Sequence, residues 1–324
     1  MRRAARAGNV ANVCMADYPA AVSEPPVLYG AIEGGGTKFI CAVGSPDASP
    51  LQLASIATAD PATTLDACIA FFADAQRRHG ALAALGVACF GPLQLRRDAP
   101  DYGCLLDTPK PGWSGAALLA PLRAALGVPV ALDTDVGAAA LAEWRLGAGR
   151  GVGSLVYVTV GTGIGGALVP QSTGNALMHA EMGHVPLRRD PRDAGFTGHC
   201  PFHGDCAEGL ASGPAIRARW GCELVSLPPD HPGREIIAGY LGQLAASIAL
   251  MHSPQCIAMG GGVTGDPLLL PLVRRAMRDY LGGYLPPLRG AAAFDAYLRA
   301  PELGAHSGIR GALLLAREAS SQSG

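Results

Sequence analysis

Four side chains able to bind metal fall close together: His184, then Cys200, His203 and Cys206 in a Cys-x-x-His-x-x-Cys run. Two thiolates and two imidazoles form a closed tetrahedral set, which suits structural Zn²⁺ and leaves no open position for a catalytic water. Such a set would pin an otherwise unfolded stretch, about residues 184–208. His179 and His199 are rival ligands, and a pair of free thiols in a His-rich loop is the plain alternative. The chain has nine cysteines, an odd number at irregular spacings, which fits a reducing cytoplasm better than a disulfide framework.

A second kind of chemistry is suggested by carboxylates beside glycine turns. Asp133-Thr134-Asp135 follows an apolar run and opens a helical pattern. Transfer of a phosphoryl group to a hydroxyl needs a carboxylate that accepts the hydroxyl proton, and Asp135 is the candidate base. The alternative for Thr134 or Asp135 is a helix cap, and one residue can fill both roles. Glu181 lies three residues before His184, so a helical turn would put both on one face. A carboxylate there, or Glu208 just after Cys206, can accept paired hydrogen bonds from sugar hydroxyls; a solvated surface charge is the alternative.

Glu33-Gly34-Gly35-Gly36-Thr37-Lys38 reads as a phosphate loop. Glycine lets backbone N–H groups approach phosphate oxygens, while Thr37 and Lys38 add a donor and a charge. The Walker A spacing is absent. A second glycine turn, Gly161-Thr162-Gly163-Ile164-Gly165-Gly166, lies about half a chain away, and Gly260-Gly261-Gly262 ends a third apolar run, where ligands of α/β sheets commonly bind.

The elements needed to position these groups are legible. Strands at Leu28 to Glu33 and Lys38 to Val43 flank the first turn; Ser154 to Val160 and Ala167 to Val169 flank the second. This repeated plan predicts two related lobes, each opening with a hairpin. Between them come a helix at Asp66 to Arg78, a strand at Leu85 to Phe90, a helix at Ala116 to Leu126, a strand at Val128 to Leu132 and a helix from Val136 to Leu146. Helices follow near Ala215 and at Glu235 to Ser253, Pro267 to Leu281 and Ile309 to Glu318. The alternation predicts an α/β architecture with a mixed sheet in each lobe. The expected division is a first lobe at 27–133 and a second at 134–324, with the last helix able to return to the first.

Composition narrows the function classes. The 324 residues, 49% hydrophobic, can build two modest cores. Lys plus Arg total 25 against 26 acidic residues, so no net field favours nucleic acid or an anionic membrane. No apolar run reaches the roughly 18 residues that spanning a bilayer requires. Residues 1–26 lack an apolar signal-peptide core and read as a disordered extension, or as upstream sequence before a start at Met15.

At this point the sequence resembles the ROK family of sugar kinases, and within it the bacterial zinc-containing fructokinase branch. The resemblance rests on Ile32 to Phe39, Phe90-Gly91-Pro92, Thr108-Pro109-Lys110-Pro111-Gly112-Trp113, Asp133-Thr134-Asp135-Val136, Val160 to Gly166, His179 to His184 and Cys200 to Gly209. It implies an actin-like (ribonuclease H-like) duplicated ATPase fold with ATP and Mg²⁺ in the cleft between lobes, and a homodimer. The implied activity is ATP-dependent phosphorylation of a hexose, first of all D-fructose to fructose 6-phosphate. Kinases for mannose, glucose or an amino sugar are rivals, as is a sugar-responsive regulator. The latter needs a helix-turn-helix, for which the 27 residues before Leu28 are too few.

By this resemblance Asp135 is the base. Thr108, Lys110, Thr134, Glu181, His184 and Glu208 are expected on the sugar side. Gly35, Gly36, Thr37, Lys38, Gly161, Thr162, Gly163, Pro214 and Gly260, Gly261, Gly262 and Val263 are expected at the nucleotide, and His184 also binds zinc. Two departures stand out. Gly137 replaces an Asn common in the family, and Ala305-His306-Ser307 precedes Gly308-Ile309 where Asp-Asn-Ala is usual.

Overall fold

The computed structural model describes residues 27–47, 50–171 and 177–322; the stretch read as an extension, 1–26, lies outside them. The first half runs β1 (Leu28–Gly34), β2 (Lys38–Gly44), β3 (Gln52–Ala57), α1 (Pro61–His79), β4 (Leu82–Cys89), α2 (Leu119–Leu126) and β5 (Val130–Thr134). Its sheet has the order β3-β2-β1-β4-β5, with β1 antiparallel to β2 and parallel to β4, and β5 parallel to β4. Ile32, Phe39, Cys41, Val43, Leu85 and Val87 carry its core, covered by Leu65, Cys68 and Phe72 of α1.

The second half follows α3 (Asp135–Leu146): β6 (Leu155–Val160), β7 (Ile164–Val169), α4 (Ala207–Ala211), α5 (Gly213–Trp220), α6 (Gly233–His252), β8 (Cys256–Gly260), α7 (Leu269–Leu281), α8 (Ala291–Tyr297), β9 (Leu298–Arg299) and α9 (Ser307–Ser321). Its sheet order is β7-β6-β8-β9, again an antiparallel hairpin followed by parallel strands. The segment β2-β1-β4 therefore recurs as β7-β6-β8, which is the duplication the two glycine turns predict. Helix α6 is buried along most of its length. Ile237, Leu241, Leu244 and Ile248 fill the second core, each worth about 1.5–3 kcal/mol of apolar burial.

Some elements differ from expectation. Helix α1 begins at Pro61, five residues before Asp66, because Asp60 caps it by accepting from Thr63 N–H at 3.0 Å and Pro61 suits the first turn. Strand β7 begins at Ile164, so Gly165 and Gly166 lie within a strand. Strand β3, α4, α8 and β9 have no counterpart in the sequence pattern. Helix α9 packs on β1, β4 and α3, placing the C-terminal helix against the first sheet. Gly311 touches the Ala138 backbone, and no larger residue would allow the two helices to approach so closely.

Candidate functional site

The parallel strands β1, β4 and β5 end on the same side of the first sheet, and this brings three carboxylates together. Glu33 pairs with Ala88 of β4, which pairs with Asp133 of β5; Asp135 then opens α3. Thr134 caps α3, its hydroxyl accepting from Gly137 N–H at 2.9 Å, while Asp135 Oδ1 accepts from Val136 N–H at 2.8 Å. The cap and the candidate base are thus adjacent residues with separate tasks.

Burial dominates the electrostatics here. It pushes Asp135 up to about 6, opposed by backbone N–H donors and reinforced by the charge of Glu181. Glu33 is pushed up to about 7, first by burial and then by Asp135, with Lys38 and the Ile309 N–H opposing. Its Oε2 has no hydrogen-bond partner. Asp133 is also pushed up to about 6 by burial, although Thr134 N–H at 2.7 Å and Gln171 Nε2 at 3.1 Å donate to it. A side chain at position 137 would meet the Asp133 carboxylate at 2.6 Å, so Gly137 leaves room for that carboxylate.

The structure distributes the other predicted residues as follows. Gly36, Thr37 and Lys38 are exposed at the tip of the first turn, which closes through Gly35 N–H to Lys38 O at 2.9 Å. At the second turn, Gly161 N–H donates to Gly163 O at 2.8 Å. Gly213 N–H, at the start of α5 beside Pro214, donates to Gly161 O at 2.8 Å. Gly261 backs onto Val160, the residue before that turn. Thr162, Pro214 and Gly260 to Gly262 therefore converge on one place. Val263 is different: it is 6% exposed and its side chain belongs to the second core, leaving only its backbone to face a ligand.

Glu181 and His184 lie on one short turn, Met182–His184, with His184 N–H bonded to Glu181 O at 3.1 Å. His179, a rival metal ligand by sequence, is engaged elsewhere. Its Nε2 accepts from Leu93 N–H at 3.1 Å and its Nδ1 lies 3.4 Å from Glu181 Oε1. Accepting at Nε2 assigns the proton to Nδ1, where it orients Glu181. Glu208, read as a second sugar contact, accepts from Ile164 N–H at 2.9 Å and so braces the second glycine turn. Thr108 hydroxyl lies 3.5 Å from Gly91 O, and Lys110 Nζ donates to Gly36 O at 2.6 Å.

The donor atoms of His184, Cys200, His203 and Cys206 lie within 4.8 Å of one another. Three of their sulfur-to-nitrogen separations are 3.6–3.7 Å. A tetrahedral ion with Zn–S of about 2.3 Å and Zn–N of about 2.0–2.1 Å sets that separation at roughly 3.6 Å. The group can hold a metal ion. Burial, and Cys200 alongside, push the Cys206 thiol up, a cost that a cation would reverse. Behind this loop, Asp193 forms a buried pair with Arg219 at 2.8 Å and accepts from Tyr240 OH of α6 at 2.8 Å, anchoring the insert to the second core.

By sequence Glu33 and Asp133 had no separate role, and His179 was only a rival metal ligand. A lone acid within the apolar run Leu28 to Glu33 was the available signal for Glu33; Asp133 and His179 each also need a distant partner, Gln171 38 residues away and Leu93 86 residues away. Among the described residues no helix is long and apolar enough to cross a membrane.

Two mixed sheets of matching topology, each with a glycine turn after its opening strand and joined through an acid-tipped helix, define an actin-like ATPase fold. The chain belongs to the ROK family, whose model matches residues 29–319. It is similar to the fructokinase of Zymomonas mobilis, with 42% identity over 294 residues covering 89% of this chain and 96% of that protein. The putative fructokinase of Bacillus subtilis is 38% identical over 90% of this chain and 96% of its own. Among solved structures, the ROK hexokinase from Thermus thermophilus superposes with TM-score 0.74 at 27% identity, covering 92% of this chain and 100% of the other. The ROK family glucokinase from Streptomyces griseus, in complex with glucose and AMPPNP, gives 0.69 at 26% identity, covering 90% and 99%.

Proposed function

We propose that this chain is an ATP-dependent fructokinase that converts D-fructose to fructose 6-phosphate. Asp135 carries the assignment: it is a half-buried carboxylate, raised to about 6, at the tip of the helix joining the two glycine-turn lobes. At neutral pH it is ionised and able to take the proton of the attacking hydroxyl. Fructokinases of 35–42% identity support fructose as the sugar.

In this account Glu181, oriented by His179, and His184 hold sugar hydroxyls, with Thr108 and Thr134 nearby. The N–H groups of Gly36 and Thr37, with Lys38, receive the phosphates, on a turn that the Gly35 N–H closes. Gly161 to Gly163, Pro214 and Gly260 to Val263 receive the rest of the nucleotide, Val263 through its backbone. Glu33 fits a divalent cation, having an unpartnered oxygen beside a second carboxylate. Mg²⁺ held there would offset charge on the phosphates. Closure of a first lobe, 27–133, on a second, 134–324, would exclude water so that the sugar hydroxyl attacks. Zn²⁺ on His184, Cys200, His203 and Cys206 would fix the loop that carries Glu181. Cytoplasmic location and a homodimer complete the proposal.

A coupled ADP-release assay with Mg-ATP across fructose, mannose, glucose and N-acetylglucosamine tests the assignment. Strongest turnover on fructose supports it; preference for another hexose moves the substrate, and no turnover on any sugar overturns it.

A further inference from the structure

We propose that Lys110 binds the phosphoryl group during its transfer and keeps hold of it on the sugar product. The inference builds on the kinase assignment and adds a residue to its chemistry. Lys110 came from the sequence as a sugar-side residue, but its ammonium lies at the first glycine turn, 2.6 Å from Gly36 O. It is half-buried, and among the described residues neither Lys110 nor Lys38 forms an ion pair with a carboxylate. Two cations outside any ion pair thus attend an exposed turn whose backbone N–H groups suit phosphate oxygens. A polyanion matches that charge; a neutral sugar does not.

The strap that carries Lys110 is built to hold it there. Pro109 and Pro111 restrict the backbone on either side. Trp113 is fully buried, stacks on Phe39 of β2 at 5.4 Å and donates to Ala59 O at 2.9 Å. Trp113 N–H also bonds Lys110 O at 3.2 Å. The same strap touches the sugar side, since Thr108 reaches Gly91 O, and Gly91 lies against His179, which orients Glu181. The strap therefore runs from the glycine turn, at Lys110, to the sugar side, at Thr108, along the path proposed for the phosphoryl group.

In the step itself the bond from the γ-phosphorus to the bridging oxygen breaks and a bond to the sugar oxygen forms. Asp135 takes the hydroxyl proton and ADP leaves. Lys110 Nζ exchanges Gly36 O for a phosphoryl oxygen and stabilises the charge in flight, a donor whose removal costs about 10²–10³ in turnover in comparable sites.

The test compares wild type, Lys110→Met and Lys110→Arg by steady-state kinetics with ATP and fructose, fructose binding by calorimetry, and inhibition by fructose 6-phosphate. For Lys110→Met, kcat falls about 100-fold or more, fructose affinity is unchanged, and inhibition by fructose 6-phosphate weakens about tenfold. Lys110→Arg recovers part of kcat because it restores the charge but not the point geometry. Near wild-type kcat in Lys110→Met overturns the proposal, as does loss of fructose affinity in step with kcat, which would make Lys110 a sugar ligand. A wild-type enzyme inactive on every hexose overturns the kinase assignment as well, and so separates the two failures.

Discussion

Burial raises the Asp135 carboxylate to about 6, and this gives the proposed base a measurable signature. A base raised to about 6 is ionised above that pH and protonated below it, so kcat/KM for fructose should rise about tenfold per unit below pH 6 and flatten above. A profile flat down to pH 5 would contradict the role. Stability should run the other way. The folded state binds the Asp135 proton more tightly than the unfolded chain does, so this residue's favourable contribution is complete at low pH and is lost as pH rises through about 6. Asp135→Asn should therefore raise the melting temperature of the ligand-free protein at pH 8 but not at pH 4, read by calorimetry. An equal shift at both values would point to a packing effect.

At the scale of elements, the segment that leads into α9 is held by one residue. Glu143 of α3 is fully buried and accepts from Ala148 N–H at 2.9 Å, Glu302 N–H at 3.0 Å, Leu303 N–H at 2.9 Å and Ser307 hydroxyl at 2.7 Å. Removing it in Glu143→Ala leaves these donors unpaired and should cost about 3 kcal/mol or more in urea denaturation. A loss under about 1 kcal/mol would show that they find other partners. Ser307, a departure from the family pattern by sequence, has a clear task in this cluster. The metal loop makes a second prediction. Chelation, or Cys206→Ser, should lower the melting temperature by about 5 °C or more and expose residues 184–208 to protease, because this stretch contains little regular structure of its own. Unchanged melting after metal is stripped would remove zinc from the account.

These elements also show what the sequence could disclose. The hairpins and α6 were legible because apolar residues cluster or recur at the period of their element. Strand β3 was not, because as an edge strand it buries neither face and alternates only between partly and fully exposed positions. The start of α1 is legible in Asp60-Pro61, a capping acid followed by a first-turn proline. The four donors able to hold a metal ion were legible because three of them are close in sequence. Glu143, three of whose four partners lie 159–164 residues away, left little local trace, as did Lys110 at Gly36, 74 residues off.

For the whole molecule, the duplication places one glycine turn on each sheet, with α3 and α9 packed together beside the first. Closure of such lobes would bring the two turns and the sugar side around Asp135, whereas none of these groups could transfer a phosphoryl group alone. The most direct test measures fructose-dependent ADP formation and fructose binding on the same preparations of wild type and Asp135→Asn. The account predicts active wild type, a variant whose turnover is lower by about 10²–10⁴-fold, and fructose affinity unchanged within about threefold. Near wild-type turnover in Asp135→Asn would contradict it.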